Sequence, residues 1–282
     1  MKIAFFGTPQ EVTPVLDTLV QQFDVALVIT TPDQPVGRKR TLTPPPVKIT
    51  AQKHTIPVIQ PKKLDETANQ QIRDANIELF ITASYGKIIP QHILSLPKYG
   101  AINVHPSLLP KYRGPTPIQT ALLKQEKKSG ITFLLMDQQI DHGPILLQIP
   151  YAIHDSDTFA SLMNDMFLKS ASILPDVIIK FINGDITPVK QNESSATFTQ
   201  SISKNDGYLE MQKLPDKTQI NAMIHAYYPW PGVWTKVTIN DKELRIKLLP
   251  QKRLQIEGKS PVSIKDFVNG YPALKEFVEK VY

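Results

Sequence analysis

The chain has 282 residues, with 32 Lys and Arg against 26 Asp and Glu for a formal charge of +6, and it contains 25 prolines, 12 glycines and no cysteine. Without thiols there is no disulfide framework, no Cys-ligated zinc, no iron–sulfur cluster and no cysteine nucleophile. The length suits one large domain or two unequal ones, and no apolar run approaches the ~18–20 residues that span a bilayer, so a cytoplasmic protein with no membrane partner is expected.

The first predicted strand, 2–6, leads into Gly7-Thr8-Pro9, where Thr8 is placed to cap a helix over 10–23 with Pro9 in its first turn. A second strand covers 25–30. Residues 34–64 then carry seven basic side chains and no acid. Within that stretch, 35–46 shows no apolar periodicity and reads as a loop ordered by its prolines. Charge alone leaves two readings for it, a solvated surface loop or a basic finger that contacts phosphates. A short helix near 47–54, a strand at 57–60, a helix at 65–74 and strands at 79–84 and 101–105 follow. Then come a helix at 117–127, strands at 131–136 and 145–151, and a long amphipathic helix over 158–183. Strands alternating with helices predict an α/β fold with a doubly wound, mostly parallel sheet. The polar stretch 188–206 reads as a linker. A helix at 217–228 and a hairpin of 233–239, Asn240-Asp241 and 244–249 lie beyond it. The expected division is a catalytic domain over 1–188, a linker over 189–205 and a smaller domain over 206–282.

An open parallel sheet binds its ligand at the carboxyl ends of the strands. The chain carries no G-x-G-x-x-G, no phosphate-binding loop motif and no G-x-S-x-G elbow, which argues against dinucleotide binding and serine hydrolysis. In the strand 101–105, Asn103 and His105 project from one face. They are either a satisfied structural pair or part of an active site, and burying both is costly unless each finds a partner. Asp141, just before Gly143-Pro144, is either a turn cap or a carboxylate that orients the histidine; Asp137 reads as a turn cap. An amide donor, an imidazole and a carboxylate together suit acyl transfer to an external nucleophile. With no thiol and no serine placed as nucleophile, attack by a substrate amine is the simplest scheme. The six histidines show no ligand spacing on a helix, so no metal is expected.

Several segments taken together are similar to the methionyl-tRNA formyltransferases of the folate-dependent formyltransferase superfamily. They are Phe6-Gly7-Thr8-Pro9, Pro32-Asp33-Gln34-Pro35-Val36-Gly37-Arg38, Thr43-Pro44-Pro45-Pro46-Val47-Lys48, Ser84-Tyr85-Gly86-Lys87-Ile88-Ile89-Pro90, Asn103-Val104-His105, Ser107-Leu108-Leu109-Pro110, Arg113-Gly114, Asp141-His142-Gly143 and Pro229-Trp230-Pro231-Gly232. The resemblance implies 10-formyltetrahydrofolate as formyl donor, the α-amine of methionyl initiator tRNA as acceptor, and a tetrahedral intermediate. It implies Asn103, His105 and Asp141 as catalytic residues. It further implies Ser107, Leu108, Leu109 and Pro110, with Lys87, Ile88 and Ile89, at the folate site, and Arg38 at the acceptor end of the tRNA. The basic stretch adds Lys39, Arg40 and Lys48 to the expected tRNA contacts.

Two features depart from the family pattern. Pro106 stands between the histidine and Ser-Leu-Leu-Pro where a small residue is usual. The tail resembles a shortened form of the family's oligonucleotide-binding β-barrel, which shifts expected tRNA contact onto the basic loop. A monomer is expected. Two other readings stay open: a formyltransferase acting on a nucleotide-sugar amine, and a tRNA- or folate-binding protein whose catalysis has lapsed.

Overall fold

The computed structural model describes residues 1–37, 39–239 and 242–282. The buried apolar strand β1 (Lys2–Gly7) is followed by a 3₁₀ turn at Gln10–Val12 and then α1 (Thr13–Gln22). The helix thus starts later than its pattern suggested. Pro14 occupies the first turn, where a missing N–H costs least, and Pro9 only precedes the 3₁₀ turn.

After β2 (Asp24–Ile29), the stretch expected to be a loop forms a small antiparallel hairpin of β3 (Gln34–Val36) and β4 (Thr41–Thr43). Gly37, at φ 73°, supplies a backbone conformation the turn needs and other residues avoid. The chain continues through α2 (Pro46–Lys53), β5 (Val58–Ile59), α3 (Glu66–Asp74), β6 (Leu79–Ala83), α4 (Gln91–Leu94), β7 (Ala101–His105), α5 (Pro117–Leu123), β8 (Lys128–Leu135), β9 (Ile145–Ala152) and α6 (Phe159–Ile182). It ends with α7 (Lys217–Ala226), β10 (Val233–Ile239), β11 (Lys242–Leu249), β12 (Arg253–Ile256), β13 (Val262–Ser263), α8 (Ile264–Gly270) and α9 (Lys275–Val281). Besides β3 and β4, the elements absent from the sequence reading are α4, β12, β13, α8 and α9, none longer than seven residues. The expected turn at Asn240-Asp241 lies outside the described residues.

Two compact units emerge, and neither is continuous in sequence. The first comprises Met1–Pro115, Ser129–Tyr151 and Met163–Phe198. It is built on a seven-stranded sheet in the order β5-β2-β1-β6-β7-β8-β9. The strands from β5 to β7 run parallel, and β8 is antiparallel to β7. Because the chain winds outward in both directions from β1, the order reverses between β1 and β6, the kind of switch point at whose carboxyl ends open α/β sheets bind ligands. One face of the sheet, with Ala4, Phe6, Leu27, Ile29, Phe80 and Ala101, packs against Ala68 and Ile72 of α3 and Ile93 and Leu94 of α4.

Phe80 anchors that layer. It is fully buried and meets the Phe6 ring edge-on at 5.0 Å, and Phe6 in turn meets Tyr85 at 5.4 Å. Truncating Phe80 to alanine leaves a cavity in the sheet core and is expected to cost about 3–5 kcal/mol, read as a lower urea midpoint with an unchanged slope.

The second unit comprises Thr116–Lys128, Ala152–Leu162 and Thr199–Tyr282. Its sheet is an antiparallel meander in the order β10-β11-β12-β13, with β10 and β13 as its two edges. One face is apolar, with Val233, Ile246, Leu248, Leu254 and Ile256 buried. The opposite face carries Trp234, Lys236, Arg245, Lys247 and Gln255, whose cross-strand register puts them side by side. Among the described residues no helix is long and apolar enough to cross a membrane.

Candidate active site

The carboxyl end of β7 sets the geometry. Asn103 and His105 lie two residues apart on an extended strand and so share a face. Asp141 comes from the loop after β8, and it sits at φ 49°. A non-glycine residue there costs about 1–3 kcal/mol unless its surroundings hold it. What holds it is its own carboxylate. Oδ1 accepts the Asn103 amide N–H at 3.1 Å, and Oδ2 accepts the backbone N–H of Gly114 at 2.8 Å. His105 Nδ1 stands 3.5 Å from the same Oδ2. The imidazole is almost wholly buried, 4% exposed, and its Nε2 lies 3.0 Å from the Tyr112 carbonyl oxygen. A carbonyl can only accept, so Nε2 carries the hydrogen and Nδ1 is the basic nitrogen of the neutral ring. Asn103, His105 and Asp141 therefore converge, and one carboxylate faces both partners.

The segment after His105 is equally constrained. The Ser107 N–H donates to the His105 carbonyl at 2.9 Å, a three-residue turn centred on Pro106 that suits the fixed φ of proline. Ser107 is buried and its hydroxyl donates to the Lys111 carbonyl at 2.7 Å. Thr132 of β8 donates to the Ser107 carbonyl and accepts from Leu109 N, and Gln148 of β9 donates to the Leu109 carbonyl. Leu109 is buried, and the Leu109-Pro110 bond is cis. Leu108 and Pro110 are partly buried.

The other expected folate-site residues diverge. Ile88 is 78% exposed, whereas Ile89 is buried in the sheet core. Lys87 turns its ammonium to the Pro61 and Lys62 carbonyls at 2.8 and 3.0 Å, and burial lowers its pKa. In the basic hairpin, Lys39 and Arg40 are exposed, and Arg38 lies outside the described residues. Lys48 is bonded to both carboxylate oxygens of Asp33 at 2.9 Å, and that ammonium holds the Asp33 carboxyl below its ordinary value. Asp137 does cap a turn, accepting from Gln139 N at 2.9 Å, and also bonds His142 Nδ1 at 2.6 Å. Among the described residues no three His, Asp or Glu side chains are grouped to hold a metal ion.

Two contributors escaped the sequence reading, Gln191 and Glu193, from the stretch expected to be a linker, and a third, Arg113, entered it only within a matching segment and with no role; it is a buried charge, 2% exposed. Arg113 donates to the Gln191 side-chain oxygen and grips both Glu193 carboxylate oxygens, at 2.9 and 2.7 Å. That grip keeps the Glu193 carboxyl below its ordinary pKa, helped by the nearby His142. Nothing in a polar, aperiodic stretch marks such residues before the chain is folded.

An amide and an imidazole at the end of one strand of a doubly wound sheet, with a loop carboxylate brought to them, form an arrangement that suits acyl transfer. The comparisons narrow it. A family model described as formyl transferase matches residues 1–178. The fold is similar to that of a sugar N-formyltransferase from a Shewanella species, with a TM-score of 0.66 at 18% identity over 89% of this chain and 98% of that one. It is also similar to phosphoribosylglycinamide formyltransferase from Bacillus halodurans, with a TM-score of 0.55 at 22% identity over 66% of this chain and 97% of that one.

In sequence the chain is 42% identical over 237 residues to the methionyl-tRNA formyltransferase of Halalkalibacterium halodurans, covering 83% of this chain and 74% of that protein. It is 39% identical over 246 residues to the methionyl-tRNA formyltransferase of Staphylococcus aureus, covering 87% of this chain and 78% of that protein. The chain belongs to the methionyl-tRNA formyltransferase family.

Proposed function

We propose that the chain transfers a formyl group from 10-formyltetrahydrofolate to the α-amine of methionyl initiator tRNA. The observation that carries this is the Asp141 carboxylate, which faces both Asn103 and His105 at the carboxyl end of β7. The family membership supplies the substrates. Two residues, one in β6 and one in the segment just after it, suit a heteroaromatic donor. Ile88 offers an open apolar side chain, and the buried Thr82 hydroxyl, in register with Asn103, has no hydrogen-bond partner. Ser107, Leu108, Leu109 and Pro110, with Lys87, Ile88 and Ile89, are assigned to the donor's surroundings on the resemblance.

The bound donor supplies an electrophilic formyl carbon. The Asn103 amide nitrogen has two hydrogens, and only one is needed by Asp141, so the second is available to the formyl oxygen as negative charge builds there. His105 Nδ1 takes the proton that the attacking amine loses and returns it to the departing folate nitrogen. Asp141 stabilises the imidazolium in between. A free α-amine has a pKa of about 7.7–8.0, so part of it is nucleophilic near neutrality.

The acceptor is a polyanion, and two surfaces suit it. The exposed hairpin carries Lys39 and Arg40, with Arg38 preceding them in sequence. The polar face of the second unit's sheet carries Lys236, exposed and paired with Glu243, and the partly buried Lys247 and Arg245, the latter with its guanidinium 3.8 Å from the centre of the buried Trp234 ring. Replacing Arg38, Lys39 and Arg40 together by glutamine is expected to raise KM for tRNA while leaving KM for the folate unchanged. The salt dependence of tRNA binding is expected to flatten, by about one unit of slope for each phosphate no longer neutralised. Lys48, bonded to Asp33, is expected to add less.

The deciding assay is formyl transfer to charged initiator tRNA, with uncharged and elongator tRNA and a nucleotide-linked amino sugar as controls. Transfer to the sugar amine alone would overturn the reading, and so would folate and tRNA binding without transfer.

A further inference from the structure

The loop that presents Asp141 is held from behind by a side chain fifty residues downstream. Gln191 uses both hydrogens of its amide on that loop, donating to the Asp141 carbonyl and to the Gly143 carbonyl at 2.8 Å each. These two carbonyls flank His142, so one side chain closes the turn at both ends. The Gln191 oxygen is itself held, accepting from Arg113 Nε at 3.1 Å and Nη2 at 2.8 Å. Arg113 is buried and braced in turn by the two oxygens of Glu193. The next residue, Gly114, gives its N–H to the Asp141 carboxylate. The Asp141 backbone and its carboxylate are thus both tied, one through Gln191 and one directly, to the same Arg113-Gly114 dipeptide.

We propose that Gln191, clamped by Arg113, is a positioning residue for formyl transfer. It sets where the Asp141 carboxylate stands against Asn103 and His105, and so governs the chemical step without touching either substrate. The inference rests on the function proposed above. Its physical basis is the left-handed backbone of Asp141, which its carboxylate contacts hold from one side and the Gln191 tie from the other. The tie is amide-specific, because the residue must accept from a guanidinium on one side and donate to two carbonyls on the other. Glutamate in its place keeps the arginine contact and sets a carboxylate oxygen against two carbonyl oxygens.

The test uses the full chain with charged initiator tRNA and the formyl folate. Gln191→Glu is expected to lower kcat by about 10–100-fold while KM for each substrate stays within about twofold, the pattern of a misplaced catalytic group and not of weakened substrate binding. In an Asp141→Asn background the same change is expected to add almost nothing, since there is no longer a carboxylate to position. A kcat within about twofold of the parent chain, or a full multiplicative loss in the Asp141→Asn background, would overturn the proposal. Gln191→Met, similar in size and uncharged, removes both the donor and the acceptor of the tie, and circular dichroism and thermal melting establish that it is folded. Amide hydrogen exchange at Gly114, whose N–H is held by the Asp141 carboxylate, is expected to quicken about tenfold in it, and unchanged exchange would overturn the clamp. If the parent chain formylates no tRNA, the functional reading falls, and the exchange measurement decides the clamp by itself.

Discussion

Asn103→Ala is expected to lower kcat for formyl transfer by about 10²–10³, the usual cost of removing one hydrogen-bond donor from a developing oxyanion. The substitution removes the amide that faces Asp141 Oδ1, but Gly114 N still holds Oδ2, so the loop keeps its anchor. Binding of tRNA, measured by filter retention, is expected to match the parent chain, because Asn103 carries no charge. Asp141→Asn provides the matched control. Asparagine tolerates the left-handed backbone as aspartate does, but its one carbonyl oxygen accepts from only one of Asn103 and Gly114, so a hydrogen bond is lost together with the charge beside His105. A fall of similar size is expected. Full activity in either variant would remove the catalytic assignment.

The second large effect concerns a residue with no side chain. A methyl group on Gly143 would stand 1.8 Å from the Leu135 carbonyl oxygen. That oxygen cannot retreat cheaply: Leu135 pairs with Ile102 in the sheet, and its N–H is bonded to the Pro144 carbonyl at 2.9 Å. The turn must move instead, and it carries Asp141 two residues away. Gly143→Ala is therefore expected to lower kcat by about 10²-fold, the cost of displacing a catalytic group by about 1 Å. Its stability is expected to fall by about 1–3 kcal/mol, as overpacking does. Circular dichroism and thermal melting establish that the chain is folded, and the rate assay reads the displacement. Parent-level turnover in Gly143→Ala would mean that the turn does not position Asp141.

Much of this was legible from residue order. The alternation of strands and helices yields the doubly wound sheet, and the 101–105 strand falls where its pattern placed it. Asn103 and His105 share a face because a strand has a period of two. The short elements were not legible: α4, at four residues, is shorter than any window in which a helical period can be detected. The hairpin of β3 and β4 has few apolar residues to betray it, and its three-residue strands are exposed along their length.

Residue order alone determined which groups exist: a chain without thiols, a strand ending in Asn103 and His105, an Asp141 before a turn, and a basic stretch. Only the tertiary structure decided that Asp141, thirty-eight residues from Asn103, reaches it at 3.1 Å. It alone placed β8 antiparallel to β7, with the loop after it returning over the strand end. It alone buried Arg113 and turned Gln191 and Glu193 from a polar connector into bracing for the site. The reason is that periodicity reports which face of an element is buried. Where two elements meet is set by sheet order and by the pairing of buried polar groups, and each such group takes its partner from wherever in the chain folding brings one within reach.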